Sequence, residues 1–118
     1  MDHPVIHWEI GSKDAKGLQG FYAELFNWKM DASNPQYAMV STGGTGGIDG
    51  GIMQTKEGMP SWVTFYVQVD DLQAYLDRAS RLGGMTIVPP TPIPDVGAFA
   101  MFADPDGHTI GLLKTLKP

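Results

Sequence analysis

The sequence predicts an α+β fold built from two βαβββ modules, and three observations predict it. Alternating apolar and polar residues mark a strand at 4–10 and another at 61–69. Each strand is followed by an aspartate and then by apolar residues at helical spacing. The two copies keep one constant offset: His7 answers to Thr64, Asp14 to Asp71, Leu25 to Leu82 and Trp28 to Met85.

In the first strand Ile6, Trp8 and Ile10 share one face, and Val5, His7 and Glu9 share the other. Asp14 stands where an N-cap belongs, its carboxylate able to accept a backbone N–H. Leu18, Phe21, Tyr22, Leu25 and Phe26 then form an apolar helical stripe, with Trp8, Trp28 and Phe21 expected in the core. Extended segments follow near 28–32, 36–41 and 47–54, separated by Asn34-Pro35 and the glycine-rich run from Gly43 to Gly51. That run has no Gly-Lys-Ser/Thr and no helix after it, so it reads as a turn and not as a phosphate loop.

The second module repeats the order. Val63, Phe65, Val67 and Val69 alternate with Thr64, Tyr66 and Gln68. Asp70 or Asp71 caps a helix with Leu72, Tyr75, Leu76, Ala79 and Leu82 on its stripe, and Asp77 can pair with Arg81 one turn on. Gly83 and Gly84 end it. Strands are predicted at 85–89, 97–103 and 108–114, with Pro89 to Pro94 as a stiff loop. A half of this size has little core of its own, so the chain is read as one domain, 1–118, of two modules at about 1–58 and 59–118.

Composition narrows the function. The chain has 118 residues, net charge −5 and no cysteine. Disulfide scaffolds, thiol catalysis and cysteine-ligated metal are excluded. There is no basic cluster, so nucleic acid is not an expected partner, and no apolar run long enough to span a membrane. The N-terminus lacks the basic and apolar regions of a signal peptide, so a cytoplasmic protein is expected. With helices outside, the more polar strand faces curl into a barrel-like cup, the default place for a small ligand. Strand edges that need covering point to a homodimer.

Three runs carry a family resemblance. The first is His7-Trp8-Glu9-Ile10 through Asp14 to Phe21-Tyr22 and Leu25-Phe26-Asn27-Trp28. The second is Val69-Asp70-Asp71-Leu72 through Leu82-Gly83-Gly84. The third is Pro89-Pro90, Ile93-Pro94 and Val96-Gly97, then Ala103-Asp104-Pro105-Asp106-Gly107. In this order, and with the internal repeat, they resemble the vicinal oxygen chelate superfamily. That superfamily includes glyoxalase I, the bleomycin-resistance proteins and the extradiol dioxygenases. The likeness is greatest to small bacterial proteins related to lactoylglutathione lyase. It implies a glyoxalase-like fold and, in metal enzymes, a divalent ion held from four strands as a Lewis acid.

Carried over by position, the resemblance matches one ligand only. His7 stands at the first-strand position. Thr64 stands where the second module would supply its ligand, and Gly111 where the last strand would supply a glutamate. The remaining position lies within Gly51-Ile52-Met53-Gln54, and the offset from Gly111 selects Gln54. A catalytic zinc has about three protein ligands, so standard glyoxalase I activity is not expected, and a divalent metal, the cofactor the resemblance implies, would be held weakly.

The residues themselves leave several roles open. His7 and Glu9, Cα atoms about 6–7 Å apart, could share an ion, with Tyr66 or Gln54 reaching across. His7 could equally be a cavity histidine bonded to Glu9 or Tyr66. Glu9 is a general base or a carboxylate satisfied by hydrogen bonds. Three functions compete. A non-catalytic binding or sequestering protein would orient a small molecule with His7, Glu9, Gln54, Thr64, Tyr66 and Gly111. A lyase or isomerase on a small carbonyl compound would move a proton with Glu9 or His7. A structural dimer would keep only a vestigial cup.

Overall fold

A computed structural model of the chain describes residues 2–116. Its elements alternate as the repeat requires. The first series is β1 (Val5–Ser12), α1 (Ala15–Phe26), β2 (Lys29–Asn34), β3 (Tyr37–Ser41) and β4 (Gly50–Gln54). The second is β5 (Trp62–Gln68), α2 (Leu72–Arg81), β6 (Met85–Ile93), β7 (Gly97–Ala103) and β8 (Thr109–Thr115). The molecule is α+β, two βαβββ modules in tandem.

Both modules are wired alike. The strand order is β2-β3-β4-β1 in the first and β5-β8-β7-β6 in the second. The helix crossover makes the first and last strands parallel, and hairpins make the other pairs antiparallel. Two compact units result. One runs from His7 to Thr64; the other joins the residues up to Ile6 to those from Phe65 on. The N-terminal residues are tied to the second unit: Gln68 N–H donates to Pro4 C=O at 2.9 Å, and His3 Nε2 meets the Tyr75 hydroxyl at 2.7 Å.

The helices begin where aspartate can cap them. Asp14 accepts from Gly17 N–H and Asp71 from Ala74 N–H, each at 3.1 Å. Asp71, not Asp70, therefore caps α2. Asn27 closes α1 in the left-handed region at φ 59°, and Gly83 takes the corresponding turn after α2 at φ 102°. Asp77 accepts from Gln73 Nε2 at 2.9 Å, and no ion pair joins it to Arg81 among the described residues.

Each helix covers one face of its own strands. Under α1, Ala15, Val40 and Ile52 are buried, with Trp8, Ile10, Tyr22 and Trp28 packed around them. Under α2, Val69, Leu72, Leu76, Ala100 and Leu112 are buried. Phe21 departs from expectation: it is 57% exposed, on the outer side of α1. The prolines from Pro89 also depart. They lie within β6, an edge strand in its module, whose pairing with β7 is irregular about Val88 and Thr91. An edge strand tolerates proline because one side of its backbone has no ladder to complete.

Candidate functional site

Alternation along β1 sends Trp8 and Ile10 toward α1, and His7, Glu9 and Gly11 to the opposite face. Register extends that second face. Glu9 pairs with Gly51 on β4, and Gly51 pairs with Met39 on β3, so Tyr37 and Met53 belong to it as well. The Glu9 carboxylate is buried there at 5% exposure. Its Oε1 accepts from the Tyr37 hydroxyl at 3.0 Å, and its Oε2 accepts from Trp62 Nε1–H at 3.1 Å. His7 Nε2 lies 2.8 Å from the same Tyr37 hydroxyl.

These contacts set proton positions. A carboxylate only accepts, so Tyr37 donates its O–H to Glu9, and the phenol oxygen then accepts from His7 Nε2–H. The result is a chain, His7 to Tyr37 to Glu9, closed on the far side by Trp62. Burial lowers the His7 pKa below the ordinary imidazole value, against the pull of Glu9 and Asp49. His7 is thus held neutral near pH 7, and in that state it donates to Tyr37 as the Nε2–H tautomer.

Glycines make room for the rings. A Cβ on Gly51 would collide with the Tyr37 ring, and one on Gly11 with the Trp62 indole. In the other unit the Tyr66 ring occupies the space of a Gly111 Cβ, and Phe99 meets Tyr66 edge-on at 6.5 Å between ring centroids. Tyr66 is buried and pairs with Gly111 across β5 and β8, as Glu9 pairs with Gly51 across β1 and β4.

The candidate residues therefore fall into three places. His7 and Glu9 come together, joined by Tyr37. Thr64 belongs to the same unit and is buried at 5% exposure. Tyr66 and Gly111 meet in the second unit. Gln54 goes elsewhere: its Oε1 accepts from Ala15 N–H at 3.1 Å and its Nε2 donates to Lys13 C=O at 2.7 Å. It shares the helix-facing side of β4 with buried Ile52, where it secures the start of α1. Register shows why the offset misleads here: the counterpart of Gly111 is Gly51, because the chain from Tyr66 to Gly111 is longer than that from Glu9 to Gly51. Tyr37 is the partner that sequence reasoning missed, and Trp62, which from the sequence opens a strand at the cup mouth or a subunit contact, meets Glu9. Both contacts depend on strand register, which no local pattern signals.

A divalent ion does not fit this donor set. Gly51 and Gly111 offer no side chain, and tyrosine rings fill the space beside them. Thr64 is a neutral hydroxyl, and His7 Nε2 is engaged by Tyr37. Among the described residues no three His, Cys, Asp or Glu side chains gather as a metal site.

With the geometry in place, comparison with known proteins is informative. A Mycobacterium tuberculosis protein named "Putative glyoxylase CFP32" is 30% identical over 112 residues, covering 88% of this chain and 42% of that protein. The chain thus spans well under half the length of that relative. A glyoxylase-like domain-containing protein from Didymella fabae is 31% identical over 109 residues, covering 86% of this chain and 85% of that one. The crystal structure of hypothetical protein BH1468 from Bacillus halodurans superposes with a TM-score of 0.74 at 14% identity, covering 100% of this chain and 98% of that chain. Residues 4–112 match the family model, and on that match the chain belongs to the Glyoxalase/Bleomycin resistance protein/Dioxygenase superfamily.

Proposed function

We propose that the chain binds a small molecule on the face carrying His7, Glu9, Tyr37 and Trp62, without the divalent ion its family often uses. One observation carries this reading: a buried carboxylate, each of whose oxygens is taken by an aromatic donor, with a neutral imidazole on one of those donors. Such a network holds its groups in fixed positions and fixed protonation states, which is what recognition of a polar ligand needs. The ligand-position glycines support the same reading, since ring-filled notches favour shape recognition over chelation.

The test is a thermal-shift screen of small carbonyl and aromatic compounds on the full chain, with Tyr37→Phe and Trp62→Phe beside it. A compound that stabilises the parent and loses its effect in both variants supports the site. Hits that persist in both variants overturn it. Titration with nickel, zinc and manganese is expected to show no stoichiometric ion; a tight ion lost on His7→Ala would refute the metal-free reading.

A lyase or isomerase activity on a small carbonyl compound is the second reading. The pairing of His7 with Glu9 through Tyr37 favours it, because it fixes a carboxylate base beside a neutral imidazole on one strand face. Glu9→Gln abolishes turnover on that reading and leaves the fold intact. The reading also includes a cytoplasmic homodimer. Its support is that no helix among the described residues is long and apolar enough to cross a membrane, and that β2 and β6 end the strand order. A monomeric mass at all concentrations would remove the dimer.

A further inference from the structure

The helix side of the second unit contains a groove that the site above does not use. It measures about 460 Å³ and runs between α2 and its strands. Val67, Val69, Phe102 and Leu112 form an apolar floor, and Ala79, with only a methyl group, leaves it open. That volume falls within the roughly 300–1,000 Å³ typical of small-molecule pockets.

The internal repeat explains why the groove exists. Counted from the capping aspartates, Ala79 on α2 answers to Tyr22 on α1, and Gly83 answers to Phe26. In the first unit both rings stack on Trp28, with centroids 5.3 and 5.0 Å from it, and Trp28 lies 5.3 Å from Trp8. Tyr22 and Trp28 pack on the buried cluster between helix and strands, while Phe26, 53% exposed, lies against Trp28. In the second unit a methyl group and a hydrogen stand in place of Tyr22 and Phe26.

Polar groups line the groove as well, one cation and one carboxylate among them. Arg78 lines it with its guanidinium 5.7 Å from the Tyr75 ring centroid, and it makes no ion pair among the described residues. His3 lines it too, bonded to the Tyr75 hydroxyl. Asp104 is the acidic residue there, and its oxygens are spent on its own turn, accepting from Asp106 N–H, His108 N–H and His108 Nδ1. A guanidinium without a carboxylate, set at the end of an apolar trough, complements an anion on an apolar body.

We propose that this groove binds an apolar monocarboxylic acid, its hydrocarbon on Val67, Phe102 and Leu112 and its carboxylate on Arg78. Sodium octanoate is the probe, with octanol and octylammonium as controls, titrated into the full chain by calorimetry and by amide chemical-shift mapping. Octanoate is expected to bind saturably at millimolar concentration or below, with shifts centred on Tyr75, Ala79 and Leu112. Arg78→Gln weakens octanoate by about tenfold and leaves octanol unchanged. Ala79→Tyr, which restores the ring of the first module, abolishes octanoate binding; Ala79→Leu serves if the larger ring prevents folding. Equal binding of octanoate and octanol overturns the anion's role. Shifts centred on the His7 face, no saturation, or undiminished binding in a folded Ala79 variant overturns the site.

Discussion

The two helix–strand layers differ although their wiring is the same. Under α1 the layer is closed by Trp8, Tyr22 and Trp28, with the half-exposed Phe26 ring against Trp28. Under α2 the corresponding layer has aliphatic residues with Tyr75 and Phe102 beside them, and it leaves a groove. Topology, capping and register agree between the modules, so these cannot be what decides whether a layer is solid. Side-chain volume decides it, most plainly where Tyr22 on α1 answers to Ala79 on α2. An apolar pattern is enough to place a helix on a sheet; filling the space beneath it is a separate requirement.

The largest test of this contrast compares Trp28 with Met85, which stand at corresponding positions of the repeat. Trp28→Ala removes the ring on which Trp8, Tyr22 and Phe26 pack, and is expected to cost about 3 kcal/mol. Met85 is 63% exposed, and Met85→Ala should change stability by no more than about 0.5 kcal/mol. Urea unfolding of the two variants gives both numbers. Similar losses would mean that the first layer's rings are no more integral than the second layer's surface.

On the opposite face of the strands the modules behave alike, and the glycines show it. Gly51→Ala should collide with the Tyr37 ring and Gly111→Ala with the Tyr66 ring, each costing about 1–3 kcal/mol. The penalty at Gly111 should shrink sharply in a Tyr66→Ala background, because the two residues compete for one space. A penalty that persists without the ring would place its origin in the backbone.

Capping restores a difference at smaller scale. Asp14→Ala and Asp71→Ala should each cost about 1 kcal/mol by thermal or urea unfolding. Only α1 has a second device, the Gln54 amide on Ala15 N–H and Lys13 C=O. Gln54→Ala is therefore expected to cost about 1 kcal/mol and to act on the first module alone, seen as faster amide exchange at the start of α1. Equal exchange at both helices would remove that distinction.

Much of this was legible from residue order. The strand alternations placed His7 with Glu9, and Thr64 with Tyr66. The capping aspartates at 14 and 71 located both helices, because a cap is a local interaction over three residues. Long-range pairing was less legible. Tyr37 reaches Glu9 only because β3 and β4 pair in one particular register, and Trp62 does so from a strand that opens the second series. Gln54 was assigned to the ligand face by a constant offset that the longer second module breaks before its last strand. Phe21 kept helical spacing yet faces outward, since the stripe on α1 is wider than the layer it covers. Local pattern encodes faces and caps; which face positions meet depends on loop lengths that the pattern leaves open.

The smallest expected effect is the pH dependence, and it isolates the residue that most separates the two first strands. His7 stands where the second module has Thr64, which does not titrate. Burial holds the folded-state pKa of His7 below its unfolded value of 6.5, with Glu9 and Asp49 opposing. As pH falls through 6.5 the unfolded chain takes up this proton before the folded chain does. The unfolded state then binds more protons, so stability falls on acidification, from about 6.5 down to the lowered folded value. Below that value both states are protonated and the contribution of His7 is gone. Protonation would also reach Tyr37, since an imidazolium still donates through Nε2 but adds charge to a buried face. His7→Gln should flatten the stability profile between neutral and mildly acidic pH and leave its alkaline side unchanged. Urea midpoints for both proteins across that range provide the measurement. An unchanged acid slope in His7→Gln would assign the titration to carboxylates elsewhere in the chain and remove His7 as the polar asymmetry between the modules.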